Sequence, residues 1–285
     1  MRVLVVGGGG REHALVHSFA QSPLAERVFC APGNAGTATE ADNVPLAADD
    51  LPGLLDFARR ERVDLTVVGP EAPLVAGLAD LFEEHGLAVF GPGREAARLE
   101  GSKVFAKEVM AEGGVATGVY RTHTTPESAL ADLSGRADYP LVVKADGLAA
   151  GKGVLICADE AEARAAVKAC FVSREFGRAG DVLIVEEFLS GSEVSLLVLC
   201  DGRTAVPLAP AQDYKRIFAG DQGPNTGGMG SYCPVPGFEE AAVDAAMDRV
   251  VEPVLSALRT RGVTYRGVLY AGLIVTTAGV KVLEF

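Results

Sequence analysis

The sequence contains no tryptophan, and lysine is scarce, with seven lysines against nineteen arginines. Five of the seven lysines lie in three short segments that carry glycine or acidic residues, namely residues 102–107, 143–153 and 213–216. A lysine ammonium is a compact and flexible point charge that suits phosphate oxygens. This placement predicts phosphate-binding segments, although chance clustering would produce the same pattern.

The chain also lacks an excess of positive charge. Acidic residues outnumber basic ones by 38 to 26, which gives a net charge of −12. This balance argues against non-specific binding to nucleic acid or to an anionic membrane. No apolar run approaches membrane-spanning length, and no signal-peptide pattern precedes the first strand. The sequence therefore predicts a cytoplasmic protein with neither nucleic acid nor membrane as a partner.

Paired cysteine motifs are absent as well. The five cysteines are odd in number and widely spaced, and Cys30, Cys157 and Cys200 lie in apolar runs. Such a pattern is typical of buried, reduced thiols and not of a disulfide framework or a metal site.

The first hundred residues alternate short apolar runs with helical patterns, which predicts an open parallel α/β sheet. The predicted strands cover residues 3–6, 27–31, 63–68 and 87–90, and the predicted helices cover 12–20, 51–60 and 76–85. Glycine- or proline-bearing turns follow each strand, at residues 7–10, 32–34, 69–71 and 91–93. Ligands bind at the carboxyl edge of such sheets, so these turns predict a cleft.

The turn at residues 7–12 partly matches a dinucleotide fingerprint. Glu12 replaces the third glycine, and the second strand ends in residues 31–34 without an acid for a ribose hydroxyl. Nicotinamide or flavin binding is therefore disfavoured. Glycine amides at a helix N-terminus, with Arg11, would instead suit one phosphate group, and a purely structural turn is the alternative.

The middle of the chain has the pattern of a small α+β unit. Ser102 can cap a helix over residues 103–112 that ends at Gly113 and Gly114, with Lys103 and Lys107 on one face. Strands at 141–144, 154–157 and 182–186 and a helix at 160–171 follow. The loop at 145–153 is glycine-rich and flexible enough to close over a phosphate tail, but it is not a Walker P-loop.

Acidic residues follow the last of these strands. One of Glu186, Glu187 and Glu193 could accept a hydrogen bond from a ribose hydroxyl, and the backbone near Phe188 could pair with an adenine edge. A solvated acidic turn is the alternative for the acidic pair.

The last third has two further candidate segments. Asp213, Lys215 and Arg216 could position an amine or a carboxylate, and residues 225–228 concentrate backbone amides in a candidate anion-binding turn. A helix at 239–261 and strands at 267–276 and 280–285 follow. Glu284 is an acid in an apolar context, for which binding of a hard cation such as Mg²⁺ is one explanation.

Taken together, six segments resemble the phosphoribosylamine–glycine ligase family of the ATP-grasp superfamily. They occur in the family's order and span the whole chain: Gly7-Gly-Gly-Gly-Arg-Glu-His-Ala14, Ala31-Pro-Gly-Asn-Ala-Gly36, Gly69-Pro-Glu-Ala-Pro-Leu74, Val143-Lys-Ala-Asp-Gly-Leu-Ala-Ala-Gly-Lys-Gly153, Asp221-Gln-Gly-Pro-Asn-Thr-Gly-Gly-Met-Gly230 and Arg266-Gly-Val-Leu-Tyr-Ala-Gly272. The resemblance implies ATP-dependent joining of 5-phosphoribosylamine and glycine, through a glycyl phosphate, in purine biosynthesis.

The resemblance also implies roles for individual residues. ATP would be held by Lys103, Lys144, Gly151, Lys152, Gly153, Glu186, Glu187, Phe188 and Glu193. The two substrates would be held by Gly9, Gly10, Arg11, Asn34, Glu71, Asp213, Lys215, Arg216, Asn225, Thr226, Gly227 and Gly228. Lys144, Asp213, Lys215 and Arg216 would carry the chemistry, and Glu284 would bind Mg²⁺ or Mn²⁺.

The family's architecture gives three expected segments. Residues 1–101 would form a pre-ATP-grasp α/β domain, residues 102–190 the small lid subdomain with its entry helix, and residues 191–285 an incomplete central subdomain. The family continues past the position of Phe285 with an asparagine that shares the metal, so we expect the sequence to be a fragment. The small-molecule substrates would be its partners, with the chain a monomer or weak oligomer.

Other functions remain open from the residues alone. They are another ATP-grasp carboxylate–amine ligase or biotin carboxylase relative, a non-catalytic ATP-binding module and, with little support, a nicotinamide oxidoreductase.

Overall fold

The structure, a computed structural model, describes residues 1–148, 153–220, 222–226 and 228–285. The chain divides into two compact units: Met1–Arg98 with Thr264–Val268, and Leu99–Val263 with Leu269–Phe285. In the part of the chain that the structure describes, no helix is both long and apolar enough to cross a membrane.

The first unit contains a parallel sheet, as predicted. Its strands are β1 (Arg2–Gly7), β2 (Arg27–Pro32), β3 (Asp42–Asn43), β4 (Leu65–Val68) and β5 (Val89–Phe90). They lie in the order β3-β2-β1-β4-β5, and every pairing is parallel. The central strand is apolar along its length because Val3 to Val6 are all at most 2% exposed, as expected for a sheet covered on both faces.

The helices of this region are α1 (Gly10–Ala20), α2 (Leu51–Glu61), α3 (Glu71–Val75), α4 (Leu78–Glu84) and α5 (Arg94–Gly101). The predicted start of the helix at residues 76–85 is wrong, because α3 ends at Val75 and α4 begins at Leu78. Gly77 lies between them with φ +96°, a left-handed conformation that glycine adopts readily and that interrupts a helix. The four predicted turns do follow the carboxyl ends of β1, β2, β4 and β5, so they lie at one edge of the sheet.

The second unit begins with α6 (Lys103–Gly113), and its predicted ends are confirmed. The Ser102 hydroxyl accepts a hydrogen bond from the Phe105 amide at 3.1 Å. Gly114 follows the helix with φ +66°, which provides the left-handed C-terminal cap.

The predicted small α+β unit is confirmed as well. It contains β6 (Tyr120–His123), α7 (Pro126–Leu133), β7 (Leu141–Ala145), β8 (Val154–Cys157), α8 (Glu160–Phe171) and β9 (Leu183–Glu187). The strands form an antiparallel sheet in the order β6-β9-β7-β8. Both helices pack on it through small and branched side chains such as Ala129, Leu133, Ala166 and Val167.

The rest of the unit is built on a second sheet. The elements are β10 (Ser192–Asp201), β11 (Ala205–Pro207), β12 (Gln212–Asp213), β13 (Arg216–Phe218), β14 (Gln222–Asn225), β15 (Ser231–Tyr232), α9 (Glu240–Ala246), α10 (Glu252–Thr260), β16 (Arg266–Thr276) and β17 (Gly279–Glu284). Strands β11, β10, β16 and β17 lie in that order, whereas β12–β15 and β13–β14 are separate two-stranded ribbons.

The helix predicted at residues 239–261 is confirmed in extent, since residues 240–260 are helical throughout, but it is not a regular α-helix along its whole length. A wider π-type turn, Met247–Val251, separates α9 from α10. Pro253 stands just after that turn, and proline has no amide proton and crowds the carbonyl four residues earlier. The widened turn accommodates the proline without ending the helical path.

Candidate active site

Glu12 lies beside the glycine loop of the first unit, at the position of the missing third glycine. Its side chain is 5% exposed, and its carboxylate accepts the Gly9 amide at 2.6 Å. The backbone of Gly69 passes so close that a Cβ there would lie 2.1 Å from Glu12 Oε1. The Gly9 amide therefore donates its hydrogen bond to the Glu12 carboxylate of the same chain. This corrects the expectation that the amide faces a phosphate.

Arg11 remains exposed at the start of α1. Its Nε lies 3.0 Å from Glu12 Oε1 and its Nη2 lies 3.6 Å from Glu71 Oε2, while the side chain is 59% exposed. Gly10 is the first residue of α1, where backbone amides have no intrahelical partner. The guanidinium and the first helical turn together provide positive potential for an anion.

Asn34 organises the loop instead of presenting a free amide. Its Nδ2 donates to the Gly8 carbonyl at 3.0 Å, and its Oδ1 accepts the amides of Gly36 and Thr37 at 2.7 and 3.0 Å. The side chain thus ties the turn after β2 to the glycine loop after β1. Its predicted contact with substrate stays a prediction.

The second unit contains a pocket of about 220 Å³ that gathers residues from distant parts of the sequence. Phe188 and the aliphatic chains of Val142, Val154 and Ile156 give it an apolar wall. The residues that were predicted from the sequence as site residues and that line this pocket are Lys144, Glu186, Glu187, Phe188, Glu193, Lys215, Thr226 and Glu284. A larger open pocket of about 720 Å³ shares Phe188, Glu193 and Lys215 with it and is also lined by Asp213. An apolar wall next to convergent charges suits a ligand with a flat base and an ionic tail.

Lys103 lies at the start of α6 and donates to the Gly147 carbonyl at 3.0 Å. Burial lowers the pKa of this lysine, while Glu284 opposes that shift. The ammonium is therefore near the first residues of the glycine-rich loop, and Gly153, the last residue of that loop, precedes β8.

Lys144 and Lys107 share one carboxylate, that of Glu186. Lys144 Nζ lies 2.6 Å from Glu186 Oε2, and Lys107 donates a short hydrogen bond to Glu186 Oε1. The exposed fractions of the three side chains are 8%, 2% and 2% for Lys144, Lys107 and Glu186. Each carboxylate oxygen lies against one lysine, and Glu186 also lines the smaller pocket, so the ribose hydroxyl as a further partner of Glu186 stays a prediction. Lys107 is not exposed to a phosphate.

Lys215 forms a second ion cluster, which lies where the smaller and the larger pocket of the second unit meet. Its Nζ lies 3.0 Å from Glu193 Oε2 and 3.8 Å from Asp213 Oδ1. Burial opposes its charge, but Tyr270, Glu193 and Asp213 outweigh burial and raise the pKa of Lys215. Lys215 therefore remains a cation at every physiological pH.

The predicted anion-binding turn is organised by Thr226. Its amide and hydroxyl both donate to the Lys215 carbonyl, at 2.7 and 2.9 Å. The Gly228 amide donates to the same hydroxyl at 3.1 Å. The backbones of Arg216 and Asn225 pair between β13 and β14, whereas the side chains of these two residues, and the whole of Gly151, Lys152 and Gly227, lie outside the described residues.

Glu284 ends β17 with an exposed carboxylate that lines the smaller pocket. Gly272 lies opposite it, and a Cβ there would be 3.1 Å from both Glu284 Cγ and the Tyr270 hydroxyl. Within the described residues, no group of three or more His, Cys, Asp or Glu side chains could hold a metal ion. A single carboxylate nevertheless fits Mg²⁺, which is bound by one or two carboxylates together with substrate phosphates.

Three residues of this region were not predicted as site residues. Lys107 was noted as part of the lysine-bearing segment 102–107 and for sharing a helix face with Lys103, but nothing in the sequence indicated its partner, which is 79 residues away. Thr117 lies in no predicted element, and Tyr270 was included only within a predicted strand and the segment Arg266–Gly272 that resembles the family. A lysine flanked by Phe105, Ala106, Val109 and Met110 could have been suspected of being buried and paired.

Comparison with protein families agrees with this layout. Residues 1–100 match the family model of the phosphoribosylglycinamide synthetase N domain, and residues 101–285 match that of its ATP-grasp (A) domain.

Individual proteins match along the whole chain. A phosphoribosylamine–glycine ligase from Allochromatium vinosum is 52% identical over 288 residues, which cover all of this chain and 67% of the relative. The crystal structure of a phosphoribosylamine–glycine ligase from Thermotoga maritima has a TM-score of 0.81 at 34% identity, over 100% of this chain and 68% of that one. The biotin carboxylase domain of a 2-oxoglutarate carboxylase from Hydrogenobacter thermophilus has a TM-score of 0.72 at 19% identity, covering 99% and 63% of the two chains, and shows a shared fold alone.

Proposed function

Because this chain belongs to the phosphoribosylamine–glycine ligase family, we propose that it joins 5-phosphoribosylamine to glycine at the expense of ATP. The products are glycinamide ribonucleotide, ADP and phosphate, and the reaction is a step of purine biosynthesis. The observation that carries this proposal is the match of both family domains across the whole chain, together with a pocket that unites Lys144, Lys215 and Glu284.

The reaction needs activation because a carboxylate does not react with an amine. A glycine carboxylate oxygen attacks the γ-phosphorus of ATP, the bond to the bridging oxygen of ADP breaks, and glycyl phosphate forms. The amine of phosphoribosylamine then attacks the acyl carbon, phosphate leaves, and the amine loses a proton. Transfer of this kind depends mainly on positioning and on neutralising phosphate charge.

The residues of the second unit fit the ATP side of this reaction. Lys103 and Lys144 would neutralise phosphate oxygens, and the apolar wall at Phe188 would hold the adenine. Glu193 is half-exposed, and with Glu186 and Glu187 it would accept hydrogen bonds from the ribose. Glu284 would hold Mg²⁺ or Mn²⁺, which neutralises phosphate charge when bound. Closure of the loop ending at Gly153 over the phosphates, with Gly151 and Lys152, stays a prediction.

The residues for the other two substrates rest on their charge. We propose that Gly10, Arg11 and Glu71 bind phosphoribosylamine, because an exposed guanidinium beside a helix N-terminus suits a single phosphate. Asp213, Lys215, Arg216 and the turn of residues 225–228 would position glycine and the attacking amine. Lys215 supports this assignment because it is a permanent cation between two carboxylates.

Substrate omission tests the proposal. ADP release should require MgATP, glycine and freshly generated phosphoribosylamine together, and omission of glycine should abolish it. Replacing glycine with bicarbonate tests the alternative chemistry of carboxylation. ADP release that depends on bicarbonate and not on glycine would overturn the proposal, and tight MgATP binding without turnover would support a binding module instead.

A cytoplasmic location and a monomer or weak oligomer stay predictions from the sequence, as does the choice between Mg²⁺ and Mn²⁺.

A further inference from the structure

A series of hydrogen bonds and one ion pair passes through Lys107, and both of its ends lie on the same strand. Lys107 Nζ donates to Thr117 Oγ1 at 2.6 Å, and that hydroxyl donates to the Val282 carbonyl at 2.7 Å. In the other direction Lys107 binds Glu186, Glu186 binds Lys144, and Lys144 donates to the Leu283 carbonyl at 3.2 Å. Both ends of the series therefore reach adjacent carbonyls of β17, immediately before Glu284.

The charges along this series do not balance. Two ammonium groups share one carboxylate, and all three side chains are at most 8% exposed. Lys144 and Glu186 line the pocket, and Lys107 binds Glu186 and Thr117. If Lys107 neutralises Glu186, the positive charge of Lys144 has no other buried partner among these groups and remains for a ligand in the pocket.

We propose that Lys107 is a positioning residue, which neutralises Glu186 and so reserves the charge of Lys144 for the phosphates of ATP. This inference rests on the proposed function, since it requires that the pocket bind ATP. Lys107 does not touch the ligand. It acts through Glu186, and its loss lets Glu186 turn both oxygens to Lys144 and cancel the charge that the phosphates need.

The proposal and a merely structural role of Lys107 predict opposite effects on MgATP binding when Glu186 is neutralised in the Lys107 variant. If Lys107 only stabilises the fold, removal of its partner Glu186 adds a second defect. If Lys107 acts by charge balance, neutralising Glu186 in the same chain restores the net charge of the cluster and returns the ammonium of Lys144 to the ligand. The double variant therefore separates the two explanations.

The test is MgATP binding by titration calorimetry to the full chain and to Lys107→Met, Glu186→Gln and Lys107→Met/Glu186→Gln, with thermal unfolding to confirm folding. Lys168→Met, which changes an exposed lysine of α8, is the matched control. We expect Lys107→Met to weaken binding roughly tenfold or more, as loss of a charged hydrogen-bonding group typically does. The double variant should bind as tightly as Glu186→Gln, and the control as tightly as the unaltered chain.

The outcomes are distinguishable. A double variant that binds no more tightly than Lys107→Met, or unchanged affinity in Lys107→Met, would overturn the inference. If Lys107→Met does not fold, the remaining pair decides: weaker binding by the double variant than by Glu186→Gln would assign Lys107 a direct contact and refute the proposal. Failure of the unaltered chain to bind MgATP would instead refute the proposed function.

Discussion

Two ion clusters contribute residues to the same pocket of the second unit. They are opposite in composition and in environment. The inner cluster has two lysines, Lys107 and Lys144, around the buried Glu186, whereas the outer one has two carboxylates, Glu193 and Asp213, around Lys215. The side chains of the outer cluster are 28–48% exposed, against at most 8% for the inner one. The formal charges are +1 and −1, so the inner cluster suits a polyphosphate and the outer one an amine-bearing substrate.

The largest difference should appear in stability. Glu186→Ala leaves two buried ammonium groups without their carboxylate, and breaking a buried pair in this way typically costs about 3–5 kcal/mol. We therefore expect a loss of this size in the free energy of unfolding, measured by urea denaturation. A loss below about 1 kcal/mol would mean that the inner cluster behaves like a surface pair.

The next effect is on ligand binding. Lys144→Ala should weaken MgATP binding by about 1–3 kcal/mol, since it removes a charged hydrogen-bond donor. Its effect on stability should be smaller than that of Glu186→Ala, because Lys107 remains to pair with Glu186. Titration calorimetry checks the affinity, with Lys168→Ala as a control on the same unit. Unchanged affinity would give Lys144 a purely structural role.

The two clusters should also differ in their response to pH. Burial lowers the pKa of Lys107 to about 8 from the usual 10.5, although Glu186 opposes the shift. Between these values the unfolded chain binds more protons than the folded one, so the contribution of Lys107 to stability rises with pH. The pKa of Lys215 is raised, and its contribution stays constant over the same range.

Urea unfolding at about pH 7.5 and about pH 9.5 measures this difference. The advantage of the unaltered chain over Lys107→Met should grow with pH, whereas its advantage over Lys215→Met should not. An advantage over Lys107→Met that does not change with pH would show that Lys107 keeps its ordinary pKa, and one that shrinks as the pH rises would show that its pKa is raised.

The smallest effect concerns Glu193, the most exposed residue of the outer cluster. Glu193→Ala removes an acid that is 48% exposed, and exposed ion pairs typically contribute less than about 1 kcal/mol to stability. Unfolding should therefore change little, while the KM for ATP should rise if Glu193 binds the ribose. A large loss of stability with an unchanged KM would remove Glu193 from the ATP site.

Local sequence rules predicted much of the architecture. Helix α6 was predictable because Ser102 and Gly114 mark its ends, and the parallel sheet was predictable from short apolar runs that alternate with helices. The sequence also carries signals for the two irregularities of the helices. Glycine stands at the break between α3 and α4, and proline follows the widened turn between α9 and α10.

The site was less predictable, because its contacts are long-range. Glu186 looked like a ribose acceptor at a strand end, and only the folded chain places it between Lys107 and Lys144. Glu12 was recognised as a departure from the dinucleotide fingerprint, but its hydrogen bond to the Gly9 amide depends on a loop conformation that the sequence does not reveal. Sequence patterns identified candidate residues, whereas the partners of those residues became evident only from three-dimensional contacts.

The central claim is that this chain activates the glycine carboxylate with ATP, and isotope transfer tests it most directly. The full chain is incubated with MgATP, phosphoribosylamine and glycine labelled with ¹⁸O in its carboxylate, and the released phosphate is examined by ³¹P NMR or mass spectrometry. Attack of the carboxylate on the γ-phosphorus predicts that each phosphate carries one ¹⁸O atom. Turnover that releases only unlabelled phosphate would contradict the account, because glycyl phosphate would then not have formed.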